Sequence, residues 1–240
     1  MMNIVIPMAG LGSRFAEAGF SIPKPLIPVN GEAMISKAVK SLNLQGQYYF
    51  ILSSNSYTKH IIEVLESIVK KPHFCIIDYV TNGPASSVQL VSEHINNSDE
   101  LVVANCDQIM TWNSAAFLHN ARLYDGCLVT YHSDTTKNSY AKLNAKGLVT
   151  EVREKQVISN VSLNGIHYWK QGRYFCDSYE AMVQNNDTAP NGEFYVGPSY
   201  NYMIRNNRIV GIYHIPNEQH HPVGVPDDLK AYLQFENNTL

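Results

Sequence analysis

The chain has 240 residues, 45% of them hydrophobic, 10% aromatic and 16% charged. That apolar content supports a full buried core without covalent staples and excludes intrinsic disorder. The 18 basic and 21 acidic side chains leave a formal charge of -3, which argues against a surface that coats nucleic acid.

Residues 3–7 (NIVIP) read as a short buried strand running into Ala9-Gly10-Leu11-Gly12-Ser13. Residues 31–44 place Met34, Ile35, Ala38, Val39 and Leu42 at helical spacing. Residues 47–53 (QYYFILS) predict a strand. The stretch 57–69 repeats the helical stripe with Ile61, Ile62, Leu65 and Ile68 and is stopped by Pro72. A strand over 73–79, a helix over 85–95 and a strand over 101–104 follow, the last ending at Asn105-Cys106-Asp107. Strands alternating with helices predict βαβ units and a largely parallel sheet.

The rhythm then changes. A helix over 112–124 and a strand over 126–132 precede a hairpin of 140–143 and 148–152 around Asn144-Ala145-Lys146-Gly147. A strand over 161–169, helices over 172–184 and 198–206, a strand over 208–215 and a final helix from Asp227 complete the chain. No linker, repeat or low-complexity tract divides it. The expected fold is one α/β domain, with a mixed, mostly parallel sheet and helices on both faces. Cys75, Cys106, Cys127 and Cys176 lie far apart, so neither a compact zinc knuckle nor a disulfide framework is expected. The N-terminal apolar run lacks a cationic start and is broken by Pro7, a poor signal peptide. No apolar run reaches the roughly 18 residues of a membrane span. A cytoplasmic protein is the expectation, with neither membrane nor nucleic acid as partner.

Three segments carry chemistry. In Gly10-Leu11-Gly12-Ser13-Arg14 the two glycines let backbone N–H groups turn toward an anion, and Arg14 adds a planar, permanent charge suited to phosphate oxygens. The plain alternative is a tight strand-to-helix turn. The segment is neither GxGxxG nor a P-loop. Pro23-Lys24-Pro25 frames a lysine between two residues that restrict its backbone, although prolines also merely stiffen loops. Asp107 sits past the carboxyl end of a buried strand, where open α/β sheets bind ligands and a carboxylate can hold Mg²⁺. Its alternative role is to cap the next helix. In Glu151-Val152-Arg153-Glu154-Lys155, alternation sets Val152 and Glu154 on one side and Arg153 on the other, and a solvated charged edge is the plain reading.

Taken together, these segments resemble the sugar-phosphate nucleotidylyltransferase (NTP-transferase) family, a branch of the GT-A-like, Rossmann-like fold. The resemblance runs through Ala9-Gly10-Leu11-Gly12-Ser13-Arg14, Pro23-Lys24-Pro25-Leu26, Val29-Asn30-Gly31, Ala33-Met34, Gly83-Pro84-Ala85 and Asn105-Cys106-Asp107. It continues through Tyr140-Ala141-Lys142, Val152-Arg153-Glu154-Lys155, Ser159-Asn160, Gly165-Ile166-His167-Tyr168 and Val223-Gly224-Val225-Pro226-Asp227-Asp228-Leu229. The ordered set is closest to members from bacterial capsule and surface-polysaccharide gene sets.

The resemblance implies transfer of a nucleotidyl group from an NTP to a phosphorylated small-molecule acceptor, usually a sugar 1-phosphate, with release of pyrophosphate. It implies a nucleotide-binding half over 1–125 and an acceptor-binding half over 126–240. Arg14, Lys24 and Asp107 would be catalytic. Ala9, Gly10, Leu11, Gly12, Ser13, Gly83, Pro84, Ala85 and Asn105 would bind the nucleotide, and Lys142, Glu154, Lys155, Asn164 and Gly165 the acceptor. Mg²⁺ would sit on Asp107. The usual second carboxylate position is Pro222 here, preceded by His220-His221, so Asp227 or Asp228, a histidine or a water stands in, or the second half-site is missing. A second departure is Val225 where a threonine is usual. CTP or another pyrimidine NTP is favoured by association with such pathways, and a homodimer is the base-rate expectation. Two other readings compete: a GT-A glycosyltransferase, which would carry a second Asp near Asp107 and lack the Arg14/Lys24 loop, and a binding subunit without turnover.

Overall fold

The computed structural model describes residues 1–239, and the side chains of residues 1–237. Its centre is a nine-stranded mixed sheet. Met2–Pro7 lies between Gln47–Ser53 and Glu100–Ala104, parallel to both, and His73–Ile77 adds a parallel edge beyond Gln47–Ser53. These central strands are buried on both faces, which is why their sequences are almost continuously apolar rather than alternating. Val5, Ile51, Leu101 and Val103 join one core with Val88 and Phe175 from the helices on that side. Ile4, Ile6, Phe50 and Val102 join the opposite core with Ile35, Val39, Leu65 and Phe117. Helices thus cover both faces, as expected.

The second half reverses direction. Val161–Trp169 runs antiparallel to Glu100–Ala104 through Ile166 to Trp169, and its start meets the hairpin of Ser139–Leu143 and Val149–Glu154. On its other side it pairs with Gly126–His132, whose register shifts between Leu163 and His167. Gly165 sits in that break at φ 95°, a backbone region open to glycine and strained for other residues. An ideal Cβ there would lie 2.3 Å from the Asn105 side-chain nitrogen. One bulged strand therefore bends from the parallel sheet into the hairpin.

Most expected elements form close to their expected ends. The helix expected over 198–206 opens as a 3-10 turn, Gly197–Ser199, before Tyr200–Arg205. The helix expected over 85–95 is two short helices, Pro84–Gln89 and Ser92–Ile95. Within the expected helix over 31–44, Met34–Leu42 is helical, and Pro28–Val29 pairs with Glu32–Ala33 around Asn30 and Gly31, both at positive φ. A small sheet of Gln108–Met110 against His220–Pro222 has no counterpart in the sequence reading. All four cysteines are free. No helix among the described residues is long and apolar enough to cross a membrane.

Candidate active site

At the carboxyl edge of the parallel strands an open cleft of about 250 Å³ is lined by Pro7, Met8, Gly10, Gly12, Lys24, Pro25, Asn105, Cys106 and Asp107. Gly12, in the left-handed region at φ 61°, ends the loop and opens the short helix Ser13–Glu17. A Cβ on Gly12 would come within 3.2 Å of the Lys24 Cβ, so the loop packs directly on the lysine. Phe15, buried with Ile27, Val29 and Val223, pins this helix from below, while Gly10, Leu11, Ser13 and Arg14 stay exposed. Lys24 begins a 3-10 turn, Lys24–Leu26, with the following Pro25 and Leu26 buried. The Pro23-Lys24-Pro25 frame thus fixes where the lysine emerges.

Lys24 Nζ donates to Asp107 Oδ2 in a tight ion pair, both side chains about one-fifth exposed. Burial alone would lower the Lys24 pKa, but the Asp107 carboxylate outweighs it and holds the ammonium above its usual value. Neighbouring Cys106 is pushed by burial to about 11, so its thiol stays protonated. Asp107 caps no helix. The next helix, Ser114–Ala121, is capped by Asn113, whose Oδ1 accepts from the Ala116 amide at 3.0 Å.

The closing segment arrives through the small sheet that sequence reading missed. Pairing of His220–Pro222 with Gln108–Met110 delivers Val223, whose amide donates to the Asp107 carbonyl at 2.9 Å. Gly224 then passes so close that a Cβ would lie 2.5 Å from Asp107 Oδ2 and 3.5 Å from Lys24 Nζ. Pro222 occupies a strand position here, and the carboxylates come afterwards on the helix Pro226–Thr239. Asp227 is exposed. Asp228 is half-buried, and its carboxyl is raised first by burial and further by the carboxylates of Asp107 and Asp227, against the pull of Lys137 and Arg14. Of the two candidates, Asp228 is the more buried. His220, buried and lowered by burial to about 4, stays neutral.

A divalent cation fits this donor set. Mg²⁺ characteristically takes one or two carboxylates and completes its shell with phosphate oxygens and water. Asp107 and Asp228 are the carboxylates that would hold such an ion, and no group of three His, Cys, Asp or Glu is gathered among the described residues.

The acceptor candidates form a second group. Glu154 is 8% exposed, accepts a short hydrogen bond from Ser139 Oγ and is raised chiefly by burial. Arg153 points to solvent and Val152 is buried, as alternation requires. Lys155 follows at φ 55°, its amide bonded to the Asn138 carbonyl at 3.0 Å. Buried Asn164 accepts from the Ile166 amide at 2.9 Å, and Gly165 abuts Asn105, tying this group to the end of the Asp107 strand. Lys142 does not join them. It pairs in register with Glu151, three residues from Ser139, so alternation sets it exposed on the opposite face from Ser139 and Glu154.

Gly83, Pro84 and Ala85 lie apart from the ion pair, at the start of Pro84–Gln89. Gly83 has φ 101°, and a Cβ would meet the Phe194 carbonyl at 2.6 Å. Ala85 donates to that carbonyl at 3.0 Å while Phe194 donates to Asn82 at 2.9 Å. The segment around Phe194 was invisible to motif reading, because its contact is made by backbone.

A MobA-like NTP transferase domain matches residues 4–192. No curated protein sequence matches the chain. A nucleoside-diphosphate-sugar pyrophosphorylase from Vibrio cholerae superposes with TM-score 0.84 at 23% identity, covering 96% of this chain and 99% of that one. A putative glucose-1-phosphate thymidylyltransferase from Bacillus anthracis gives 0.78 at 16% identity, covering 98% and 95%. The inositol-1-phosphate CTP transferase of T. maritima gives 0.73 at 14% identity, covering 98% and 96%. The glycine loop, Lys24 and Asp107 all fall inside the matched span, and the chain belongs to the MobA-like NTP transferase domain family as a nucleotidyltransferase.

Proposed function

We propose that the protein moves a nucleoside monophosphate from an NTP to a phosphorylated small-molecule acceptor, releasing pyrophosphate. The observation that carries this reading is the convergence of Lys24, Asp107, Gly224 and the exposed glycine loop on one cleft. The acceptor phosphate oxygen forms a new bond to the α-phosphorus as the α–β bond breaks. Both partners are anionic, so positioning and charge neutralisation dominate. The acceptor phosphate is already ionised at neutral pH, and a separate general base is not needed.

In this reading the backbone of Gly10 to Ser13 and the Arg14 guanidinium hold the departing β- and γ-phosphates. Lys24 leaves Asp107 to meet charge that grows on the α-phosphate. Asp107 and Asp228 would hold Mg²⁺, which would supply positive charge to offset that of the phosphates. Gly83 to Ala85 line the base side, and Asn105 binds the nucleotide from the cleft. Glu154 and Lys155 hold the acceptor, the lysine at its phosphate and the carboxylate at its hydroxyls.

A pyrimidine nucleotide, CTP first, is the favoured donor, and a sugar 1-phosphate or a related capsule precursor the favoured acceptor. Support comes from the CTP and thymidylyl chemistry named for two structural neighbours. The product would be an activated precursor for cytoplasmic steps of surface-polysaccharide assembly. Pyrophosphate release across a panel of NTPs crossed with phosphorylated acceptors tests the assignment. A pyrimidine NTP with one acceptor should dominate, and release that needs no acceptor, or none with any pair, refutes transfer.

A further inference from the structure

The segment Asn191–Tyr195 touches both substrate half-sites. Its backbone lies on the nucleotide side, where Phe194 exchanges hydrogen bonds with Asn82 and Ala85 around Gly83. Its last side chain lies on the acceptor side, where the Tyr195 hydroxyl accepts from Lys155 Nζ at 2.9 Å. The same ammonium stands 4.9 Å from the centre of the Tyr195 ring, within cation–π range. The hydroxyl also accepts from Asn191 Nδ2 at 3.1 Å, and that amide donates to Glu193 Oε2 at 2.8 Å. Tyr195 is therefore held by Asn191 as well as by the lysine.

Lys155 itself adopts a left-handed backbone at φ 55°, a conformation that costs a non-glycine residue of order 1 kcal/mol and persists only where its surroundings over-determine it. The amide bond to Asn138 and the ammonium bond to Tyr195 are the constraints present. An ammonium has three donors. One engaged by Tyr195 leaves two for an incoming oxyanion.

We propose that Tyr195 is the positioning residue for Lys155, presenting its ammonium to the acceptor phosphate, and that the segment Asn191–Tyr195 joins the acceptor side of the site to the nucleotide side. The proposal rests on the acceptor role given to Lys155 above. It explains a tyrosine that no sequence motif singled out.

Inorganic phosphate serves as the probe, being the part of any acceptor that Lys155 would meet. Its Kd is measured by calorimetry in the presence of Mg²⁺ and a saturating α,β-methylene NTP, which fills the triphosphate loop. A hydrogen bond to a charged group sets the scale, so Tyr195→Phe should weaken phosphate about 10-fold, and Tyr195→Ala, which also removes the ring, should weaken it further. NTP affinity should move less than about 2-fold and Tm should stay at the wild-type value. In a Lys155→Ala background, Tyr195→Phe should add nothing, because its effect passes through the lysine. An unchanged phosphate Kd in Tyr195→Phe, or an equal loss with Lys155 already removed, overturns the positioning role while leaving the acceptor role of Lys155 standing. If wild type does not bind phosphate, or Lys155→Ala binds it as wild type does, the acceptor role of Lys155 fails and the proposal with it.

Discussion

In the proposed function the two halves of the site solve the same problem, holding anions, by different means. On the nucleotide side, charges sit at the ends of parallel strands and on loops stiffened by Pro23, Pro25 and the turn at Gly12, and two opposite charges neutralise each other through the Lys24–Asp107 pair. On the acceptor side, Glu154 is buried against a hydroxyl, and Lys155 rests on an aromatic ring rather than on a carboxylate. The first arrangement stores charge in a form that substrate must separate. The second holds its lysine through a tyrosine hydroxyl, with the carboxylates of Glu154 and Glu193 near enough to favour its charge. Parallel strands deliver side chains to one edge by topology alone, whereas the antiparallel extension needs a bulge and a hairpin end to bring its groups to the same place.

Four outcomes test this contrast, the largest effect first. Asp107→Asn should abolish turnover while the protein stays folded, and it should leave Lys24 without its partner; residual pyrophosphate release near wild type, or full activity in excess chelator, would remove the metal role. Lys24→Ala should lower kcat by about 10²- to 10³-fold, the usual loss for a group that meets charge only in the transition state. Lys24→Arg should recover little, because a guanidinium differs in shape and reach. If only the NTP KM changes, Lys24 is a ground-state clamp and the contrast with Lys155 narrows. Lys155→Ala should raise the acceptor KM by about 10-fold or more, the scale of one charged hydrogen bond, with kcat and NTP KM nearly unchanged, the reverse of the Lys24 pattern.

The smallest effect concerns Glu154 and its pH dependence. Burial raises its carboxyl above the ordinary 4.5, so the folded protein binds this proton more tightly than the unfolded chain. Folding stability from this group is then fully present below the unfolded value and is lost as pH rises through the folded value. Glu154→Gln removes that dependence. Its Tm advantage over wild type should grow as pH rises above the ordinary carboxylate value of 4.5, while acceptor binding weakens. A Tm difference flat across that rise would mean Glu154 is not held against its charge.

Much of this was legible in the sequence, and unevenly. The strands over 47–53, 126–132 and 161–169 and the helix over 172–184 form where periodicity set them, since apolar spacing records which face is buried. The glycine loop, Lys24 and Asp107 were legible because special backbone and charge at a strand end leave a local mark. Gln108–Met110 and its pairing with His220–Pro222 were not, since three-residue strands carry no period and their partner lies over 100 residues away. Lys142 was misplaced for a related reason: its motif gave proximity in sequence to Tyr140, and only register shows that it faces away from Glu154.

By itself the sequence determined the α/β alternation, the core faces and the glycine loop that opens the first helix, because these follow from spacing and residue type within a few positions. Tertiary structure alone decided that Asp228 is half-buried while Asp227 is exposed, that Gly224 must lack a side chain to pass the Lys24–Asp107 pair, and that Tyr195 meets Lys155. Each of these depends on how two distant segments dock. That geometry is set by strand register and close packing, which no local pattern of residues encodes.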